Sequence, residues 1–310
     1  MEGQKYDLLV IGAGPAGLTA SIYASRYKIK HAVIGNLPGG TMTEAHKICN
    51  FPSEPNINGW DLAQKIEGNA RQLGAEIITS EISSIAGQYP EFQVTLADGQ
   101  ILRTKIVLVA TGTKRRHLGL DNEPQFLGKG LAYCATCDGP FFKDRVVAVL
   151  GGGNSAATAA LYLADIAKQV YWLYLGDRPE AAEPSWVEEI AKRDNIQLRP
   201  NSQVKRLLGE SKLTGLELAD QSGNTSQLEV DGLFVEIGSH PCTELFQSLG
   251  GQVDQRGHII VDASQFTSLK GVWAAGDATT GSNGLRQIIT ACGEGAIAAD
   301  SVFNFLQKNS

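Results

Sequence analysis

The chain has 310 residues, of which 43% are hydrophobic and 19% are charged, a composition typical of a globular protein of about two domains. It excludes the disordered, collagen-like and coiled-coil classes. The formal net charge is −6, so no diffuse basic surface is available for nucleic acid or an anionic membrane. No apolar run approaches the ~20 residues of a membrane-spanning helix, and the first residues do not resemble a signal peptide. We therefore expect a cytoplasmic protein.

The first element in chain order is an apolar strand, Tyr6–Ile11, which leads into a glycine turn at Gly12–Gly17 and a helix to about Tyr27. This order predicts a Rossmann entry. The first glycine permits the tight turn, the second lets a pyrophosphate approach the backbone, and the third lets helix and strand touch. A diphosphate would then lie on the amide groups at the start of the helix.

The same design recurs later in the chain. The strand Val146–Leu150 leads into a glycine turn at Gly151–Ala156 and a helix to about Ala167. Each unit also has a later strand that closes on glycine, at 106–112 and 233–238. The repeat predicts two nucleotide-binding domains. Short strand pairs that turn at 98–99 and near 222–224 predict an antiparallel layer in each.

The C-terminal segment cannot form a core alone, because it offers one strand at 271–277 and one helix at about 285–306. We expect it to join the first domain. That domain would then comprise residues 1–115 and 246–310, with the second domain, residues 116–245, inserted into it.

The chemical centre of the sequence is Cys134-Ala135-Thr136-Cys137-Asp138. Two cysteines at this spacing can close a small disulfide ring, and a thiolate there is often stabilised below the free thiol pKa of ~8.5. Asp138 could carry protons to and from a leaving thiolate. Zinc binding is an alternative that needs two more ligands, for which His46 and Cys49 are the available pair. A purely structural pair is a third possibility, and redox chemistry is favoured over both.

Together these motifs resemble the low-molecular-weight thioredoxin reductase family over nearly the whole chain. The resemblance implies an α/β fold of two Rossmann-like, three-layer ββα domains, with FAD bound to the first domain and the disulfide carried on the NAD(P)-binding-like second. It also implies a homodimer. The matching motifs are Gly12-Ala13-Gly14-Pro15-Ala16-Gly17, Gly39-Gly40, Asn50-Phe51-Pro52, Ala110-Thr111-Gly112, Cys134-Ala135-Thr136-Cys137-Asp138-Gly139, Gly276-Asp277 and Arg286-Gln287.

The resemblance also implies roles for individual residues. Cys137 would face the isoalloxazine ring, Cys134 would exchange with the protein substrate, and Asp138 would be the acid/base. The adenosine ribose would be met at Gly35 and Asn36, although the acidic residue that often ends this strand is missing. The implied FAD contacts are Gly12, Gly14, Pro15, Ala16, Gly17, Gly35, Asn36, Gly40, Thr41, Asn50, Ile85, Thr111, Gly112, Gly276, Asp277, Arg286, Gln287 and Ile288.

The second nucleotide site departs from the family. After the strand Gln169–Leu173, an NADPH-dependent reductase has a His-Arg-Arg run and a further arginine. Here Tyr174-Leu175-Gly176 and then Glu180 stand at those positions. The guanidinium groups that would pair with a 2′-phosphate are absent, which argues against NADPH. NADH is not strongly supported either, although Asp177 or Glu180 could accept bonds from its ribose.

Two interpretations of this site stay open. Either it is degenerate and a protein donor such as ferredoxin supplies electrons, or it holds a second FAD. Aromatic rings at Trp172, Tyr174 and Trp186 could stack on such a ring, although core packing is the simpler explanation for Trp172. Both interpretations resemble pyridine-nucleotide-independent branches, namely ferredoxin-dependent flavin thioredoxin reductases and diflavin-linked disulfide oxidoreductases. The candidate residues are Gly151, Gly153, Asn154, Ser155, Trp172 and Tyr174.

The sequence thus predicts an FAD-dependent protein-disulfide oxidoreductase of thioredoxin reductase type. It would exchange electrons between FAD, the Cys134-Cys137 disulfide and a thioredoxin-like partner or other dithiol or disulfide substrate. One alternative is a diflavin-linked or reverse-direction dithiol oxidase. Another, from a different class, is a non-catalytic redox sensor in which the disulfide only changes conformation or partners.

Overall fold

The structure is a computed structural model that describes residues 5–45, 47–179 and 181–309. The chain divides into two compact units. The first unit comprises Met1–Lys114 and His240–Ser310, and the second comprises Arg115–Ser239. The first unit is therefore discontinuous in sequence, and its second segment begins slightly before the boundary expected at residue 246.

Eight α-helices are present among the described residues. Four of them begin with glycine, proline or asparagine, residues that favour the start of a helix. Their bounds are α1 Pro15–Arg26, α2 Gly59–Gln72, α3 Glu123–Phe126, α4 Ala135–Asp138, α5 Asn154–Ala164, α6 Pro184–Ile190, α7 Glu244–Ser248 and α8 Ile288–Lys308.

The strands carry the apolar runs seen in the sequence. Those of the first unit are β1 Lys5–Ile11, β2 His31–Ile34, β3 Glu76–Ile78, β4 Ile82–Gln88, β5 Glu91–Leu96, β6 Ile101–Val109 and β17 Val272–Ala274. Those of the second unit are β8 Leu131–Ala132, β9 Val146–Leu150, β10 Gln169–Leu173, β11 Ile196–Arg199, β12 Gln203–Leu208, β13 Gly215–Ala219, β14 Thr225–Glu229 and β15 Gly232–Val235. The short strands β7 Thr113–Arg115 and β16 Ser239–Pro241 form a two-stranded sheet where the chain passes between the units.

The first unit is built on a seven-stranded sheet in the order β3-β2-β1-β6-β5-β4, with β17 also beside β6. Strands β3, β2, β1, β6 and β17 are parallel, whereas β4 and β5 are antiparallel. Alternate residues of β1 enter different cores, as strand geometry requires. Leu8 and Val10 pack with α1 and α8 residues, and Leu9 and Ile11 pack with the antiparallel strands.

The second unit repeats this plan with a parallel sheet, β11-β10-β9-β15-β8, and a separate antiparallel sheet, β12-β13-β14. Val147 and Val149 pack against the alanine-rich α5, and Ala148 and Leu150 pack with residues of the antiparallel layer. The predicted α/β class with Rossmann-like units is confirmed. Within the described residues, no helix is both long and apolar enough to cross a bilayer.

Candidate functional site

The first glycine turn connects β1 to α1 at the carboxyl end of the parallel strands. Gly12 has a φ of +114°, and a Cβ placed on it would lie 2.1 Å from the Ala110 carbonyl oxygen. A Cβ on Gly17 would lie 1.9 Å from the Gly12 oxygen, so this glycine lets the helix approach the turn. A Cβ on Gly14, by contrast, would have no atom within 4 Å. Open space therefore begins at the first turn of α1, where a diphosphate would lie.

Three further predicted positions lie close to this turn. A Cβ on Gly35 would be 2.7 Å from the Ala13 nitrogen, and one on Gly40 would be 3.3 Å from the Gly14 Cα. A Cβ on Gly276 would be 3.0 Å from the Ala16 Cβ. The structure thus gathers segments that are far apart in sequence around the start of α1. Such close approaches of backbone explain why glycine stands at each position.

Polar side chains lie beyond these glycines. Arg286 donates from Nε to the Asp277 carbonyl oxygen at 3.4 Å and from Nη2 to His258 Nε2 at 2.8 Å. Asn50 donates from Nδ2 to Gln287 Oε1 at 3.0 Å. Burial raises the pKa of the Asp277 carboxyl, and Glu294 adds to this while Arg286 opposes it. Hydrogen bonds therefore connect three segments that carry predicted FAD contacts. Arg286 bonds to Asp277, and Gln287 bonds to Asn50.

The remaining predicted FAD positions fall in defined elements of the same unit. Ile85 is buried in β4 and packs in one core with Ile34 of β2. Thr41 lies in the 3₁₀ turn Gly40–Glu44, which packs against α2, and Ile288 at the start of α8 packs on the cluster around Met42. Thr111 and Gly112 follow β6, and both bond to Cys242 at the return crossing of the chain.

Sequence reasoning missed three partners in this unit. The buried Glu294 accepts from the Gly276 amide at 2.7 Å and from the Thr279 hydroxyl at 3.0 Å, which fixes the loop that carries Asp277. Glu81 accepts from Asn36 Nδ2 at 3.4 Å. The Glu81 carboxylate therefore lies beside Asn36, just after β2. Many related proteins have an acidic residue at the end of this strand, and this chain has none there. His258 is the third, as the partner of Arg286. Each contact joins segments that are distant in the chain, so no local pattern in the sequence indicates it.

The second unit carries the cysteine pair. Cys134 and Cys137 form a disulfide with their Cα atoms 5.3 Å apart. Cys134 is the N-cap of the one-turn helix α4, and its sulfur accepts a hydrogen bond from the Cys137 amide at 3.1 Å. Amides at the start of a helix favour a thiolate. The Cys137 amide is therefore placed where it would favour a thiolate on Cys134 if the disulfide were reduced.

Two carboxyl groups border the disulfide segment. Asp138 is half-buried, and burial raises the pKa of its carboxyl. The buried Glu123 accepts from the hydroxyl of Tyr133, the residue before Cys134, at 2.5 Å and from the Gly119 amide at 2.8 Å. Burial alone would raise the pKa of Glu123, but hydrogen bonds from Tyr133, His117 and Gly119 outweigh it and lower the pKa. Nothing in the sequence indicates that Glu123 accepts hydrogen bonds from Tyr133 and Gly119.

The second glycine turn connects β9 to α5. Gly151 has a φ of +146°, and a Cβ on it would lie 2.1 Å from the Glu236 carbonyl oxygen. Trp172 is fully buried and donates from Nε1 to the Gly151 oxygen at 2.8 Å. Its ring meets Tyr174 edge to face in the core of the unit. This burial favours core packing over stacking on a ligand for both rings. Ser155 is exposed in the first turn of α5.

Two residues from the sequence argument, His46 and Glu180, lie outside the described residues. Among residues 5–45, 47–179 and 181–309, no cluster of three or more His, Cys, Asp or Glu side chains is arranged to hold a metal ion. The two sulfurs that a zinc site would need are bonded to each other.

Comparisons with known proteins agree with this geometry. The family profile described as pyridine nucleotide-disulphide oxidoreductase matches residues 6–295. A thioredoxin reductase of Listeria monocytogenes is 35% identical over 310 residues, which cover 99% of this chain and 96% of that protein. The crystal structure of a T. acidophilum thioredoxin reductase is 35% identical with a TM-score of 0.93, covering 98% of this chain and 99% of that one.

A ferredoxin-flavin thioredoxin reductase from Clostridium acetobutylicum is also similar, at 28% identity and a TM-score of 0.54, covering 99% of this chain and 100% of that one. The predicted resemblance to thioredoxin reductases is confirmed by the length of these matches. The chain therefore belongs to the pyridine nucleotide-disulphide oxidoreductase family, within which it is a flavin-dependent disulfide oxidoreductase of the thioredoxin reductase type.

Proposed function

We propose that this protein exchanges electrons between FAD and a thioredoxin-like partner through Cys134 and Cys137, and that its electron donor is a protein such as ferredoxin rather than NADPH. The observation that carries the proposal is the disulfide at the start of α4, where one sulfur accepts a backbone amide. An amide in this position stabilises the Cys134 sulfur as a thiolate once the disulfide is reduced.

The first unit fits FAD. The open space at Gly14 leaves room for the diphosphate, and no side chain caps α1 in the described structure. By analogy with the family, Asp277 contacts the ribityl chain and the Ile85 backbone meets adenine. Glu294 holds the loop that presents Asp277. When bound, FAD supplies a two-electron redox group that can exchange electrons with a disulfide.

The cysteine pair performs the exchange with the partner. In the reduced dithiol, the Cys134 thiolate attacks the disulfide of the partner, so one new S–S bond forms and one partner thiolate leaves. The Cys137 thiolate then attacks the Cys134 sulfur, which restores the Cys134-Cys137 disulfide and releases the partner as a dithiol. Two electrons pass to the partner. Asp138 takes the proton from the attacking thiol, or returns it to the leaving thiolate, a role that its raised pKa supports.

The donor is inferred from the second glycine turn. Tyr174 stands where a nucleotide-binding relative has the first residue of its His-Arg-Arg run, and it is buried in the core. Leu175 and Gly176 follow in place of the two arginines. Without guanidinium groups a 2′-phosphate has no partner there. The similar Clostridium acetobutylicum structure is a ferredoxin-flavin thioredoxin reductase, which supports a protein donor.

The test is anaerobic reduction of the purified flavoprotein, monitored through the absorbance of its flavin. Reduced ferredoxin should bleach the flavin rapidly, and a thioredoxin disulfide should reoxidise it, whereas NADPH and NADH should not bleach it. Denaturation should release one FAD per chain. Rapid bleaching by NADPH would refute the donor assignment, and two FAD per chain would support the diflavin alternative instead.

A second measurement separates catalysis from sensing. A Cys137→Ser variant should trap thioredoxin as a mixed disulfide with Cys134, because the resolving sulfur is gone. Cys134→Ser should trap none, and Cys49→Ser, which removes an exposed free thiol, should behave like the parent protein. A wild-type protein that binds thioredoxin but never turns it over would favour the redox-sensor hypothesis.

A further inference from the structure

Residues 181–183, directly before α6, and Pro179 lie against the second glycine turn. Ala181 forms an isolated parallel bridge with Gly153. A Cβ on Gly153 would lie 3.8 Å from the Ala181 side chain, and one on Gly152 would lie 3.9 Å from the Pro179 Cα. The space in front of this turn is thus occupied by the chain itself. At the equivalent position of the first turn, a Cβ on Gly14 meets nothing within 4 Å.

A pair of hydrogen bonds fastens this segment. Asn154 is the first residue of α5, and its Nδ2 donates to Glu183 Oε1 at 2.8 Å. In return the Glu183 amide donates to Asn154 Oδ1 at 2.7 Å. Asparagine is well suited to this exchange because it offers both a donor and an acceptor. The carboxylate of Glu183 is therefore held beside the first residue of the helix.

An anion at this place is electrostatically favoured. The N-terminal end of a helix carries partial positive charge and attracts negative groups, and α5 has no acidic residue in its own first turn. Glu183 supplies the negative charge from another element. In a dinucleotide-binding Rossmann unit, that charge belongs to the diphosphate of the ligand.

We infer that Glu183 is a specificity-determining residue that closes the second glycine turn to diphosphates. A dinucleotide entering the turn would have to break both Asn154 contacts and place its diphosphate against a carboxylate, where like charges repel. NADPH, NADH and a second FAD all carry the same diphosphate, so the Glu183 carboxylate disfavours the binding of all three. This inference rests on the proposed function and extends it: the donor must be one that needs no diphosphate site, such as a small redox protein.

The test is binding of ADP-ribose to the FAD-loaded protein by titration calorimetry. ADP-ribose carries the diphosphate but no nicotinamide, so the result does not depend on electron transfer. The wild type should show no saturable binding at millimolar ligand. Glu183→Ala and Glu183→Gln should each bind saturably, at least about tenfold more tightly than the detection limit set by the wild type, as expected when a like charge beside an anion is removed. Both variants change an exposed side chain, so the fold should tolerate them.

Glu188→Gln is the matched control. It removes the same charge from an exposed position of α6, away from the turn, and should bind ADP-ribose no better than the wild type. Saturable binding to the wild type, an equal gain in the control, or no gain in either Glu183 variant would overturn the inference. Different results would refute the proposed function: bleaching of the wild-type flavin by NADPH, or absence of thioredoxin turnover. Neither result depends on the Glu183 variants.

Discussion

Asp138 is half-buried next to the reactive sulfurs, and burial raises the pKa of its carboxyl above the ordinary 3.8. If it acts as the base in exchange, the rate should fall as pH drops through this raised pKa. Asp138→Asn should lower thioredoxin turnover by about 100-fold at neutral pH, the range typical of a lost acid/base group, and should abolish the acid limb of the rate profile. Steady-state rates across pH measure both.

The same shift makes a stability prediction of known sign. Because the pKa of Asp138 is raised in the fold, its protonated form is favoured there, and this contribution is present below the ordinary pKa and lost as pH rises through the raised one. Asp138→Asn should therefore melt no lower than the wild type at neutral pH. Asp121→Asn, an exposed carboxyl in the same unit, is the control. If the turnover rate of Asp138→Asn still fell at low pH as in the wild type, Asp138 would not be the base in the exchange.

Glu294 holds the Gly276–Thr279 loop through two hydrogen bonds made inside the first unit. Glu294→Ala should destabilise that unit by about 1–3 kcal/mol, because the Gly276 amide and the Thr279 hydroxyl lose their acceptor. Calorimetric melting of the FAD-free protein measures this as a lower Tm, by about 2–4 °C per kcal/mol. FAD should also be retained less tightly.

Glu294→Gln is the informative comparison, since its amide oxygen can still accept and its volume is nearly the same. It should recover most of the lost stability. If the Tm of Glu294→Gln were as low as that of Glu294→Ala, the negative charge of Glu294, and not its ability to accept hydrogen bonds, would be what stabilises the Gly276–Thr279 loop.

At the scale of elements, the start of α1 has two glycines that are needed for different reasons, Gly14 at the N-cap and Gly17 within the helix. A Cβ on Gly17 would lie 1.9 Å from the Gly12 oxygen, whereas a Cβ on Gly14 would have open space around it. Gly17→Ala should destabilise the FAD-free protein by about 1–3 kcal/mol or more through overpacking. Gly14→Ala should leave that stability unchanged but weaken FAD binding, because the new methyl enters the space proposed for the diphosphate.

Thermal melting of FAD-free samples and titration with FAD separate the two effects. A Gly14→Ala variant that bound FAD as tightly as the wild type would show that the diphosphate does not lie over this residue. A Gly17→Ala variant of normal stability would contradict the packing described for the turn.

The elements that the sequence predicted well are those with a local pattern. Both strand–glycine–helix entries are present because the glycines are required by the backbone itself, as the positive φ of Gly12 and Gly151 shows. The strand pair that turns at 98–99 was predicted from its turn residues, and β5 is present at Glu91–Leu96. The Cys-x-x-Cys spacing permitted the disulfide that the structure contains.

The interactions that escaped prediction join segments distant in the chain. Glu294 reaches Gly276, Glu81 reaches Asn36, and Glu183 reaches Asn154. A single charged residue gives no sequence signal of its partner, because tertiary packing alone decides which polar groups meet. Trp172 illustrates the converse: an aromatic residue near a predicted ligand is more often part of the core, and here it is fully buried.

At the scale of the whole molecule, the chain uses one nucleotide-binding design twice and leaves only the first turn open. The first turn ends in open space at Gly14, and the second is faced by Ala181 and Glu183. Homodimer formation and a cytoplasmic location stay predictions from the resemblance and from composition. The difference between the two turns is the feature on which the proposed independence from NADPH rests.

The pairing of α1 with α8 also governs how the protein can be made. These helices pack closely, and a Cβ on Gly295 would lie 2.1 Å from the Ala16 oxygen. On the ribosome, the nascent first unit must wait for residues near 300 before its opening helix finds this neighbour, whereas residues 115–239 can fold beforehand, as domains do during synthesis. We therefore expect the first unit to capture its cofactor only after α8 has been synthesised.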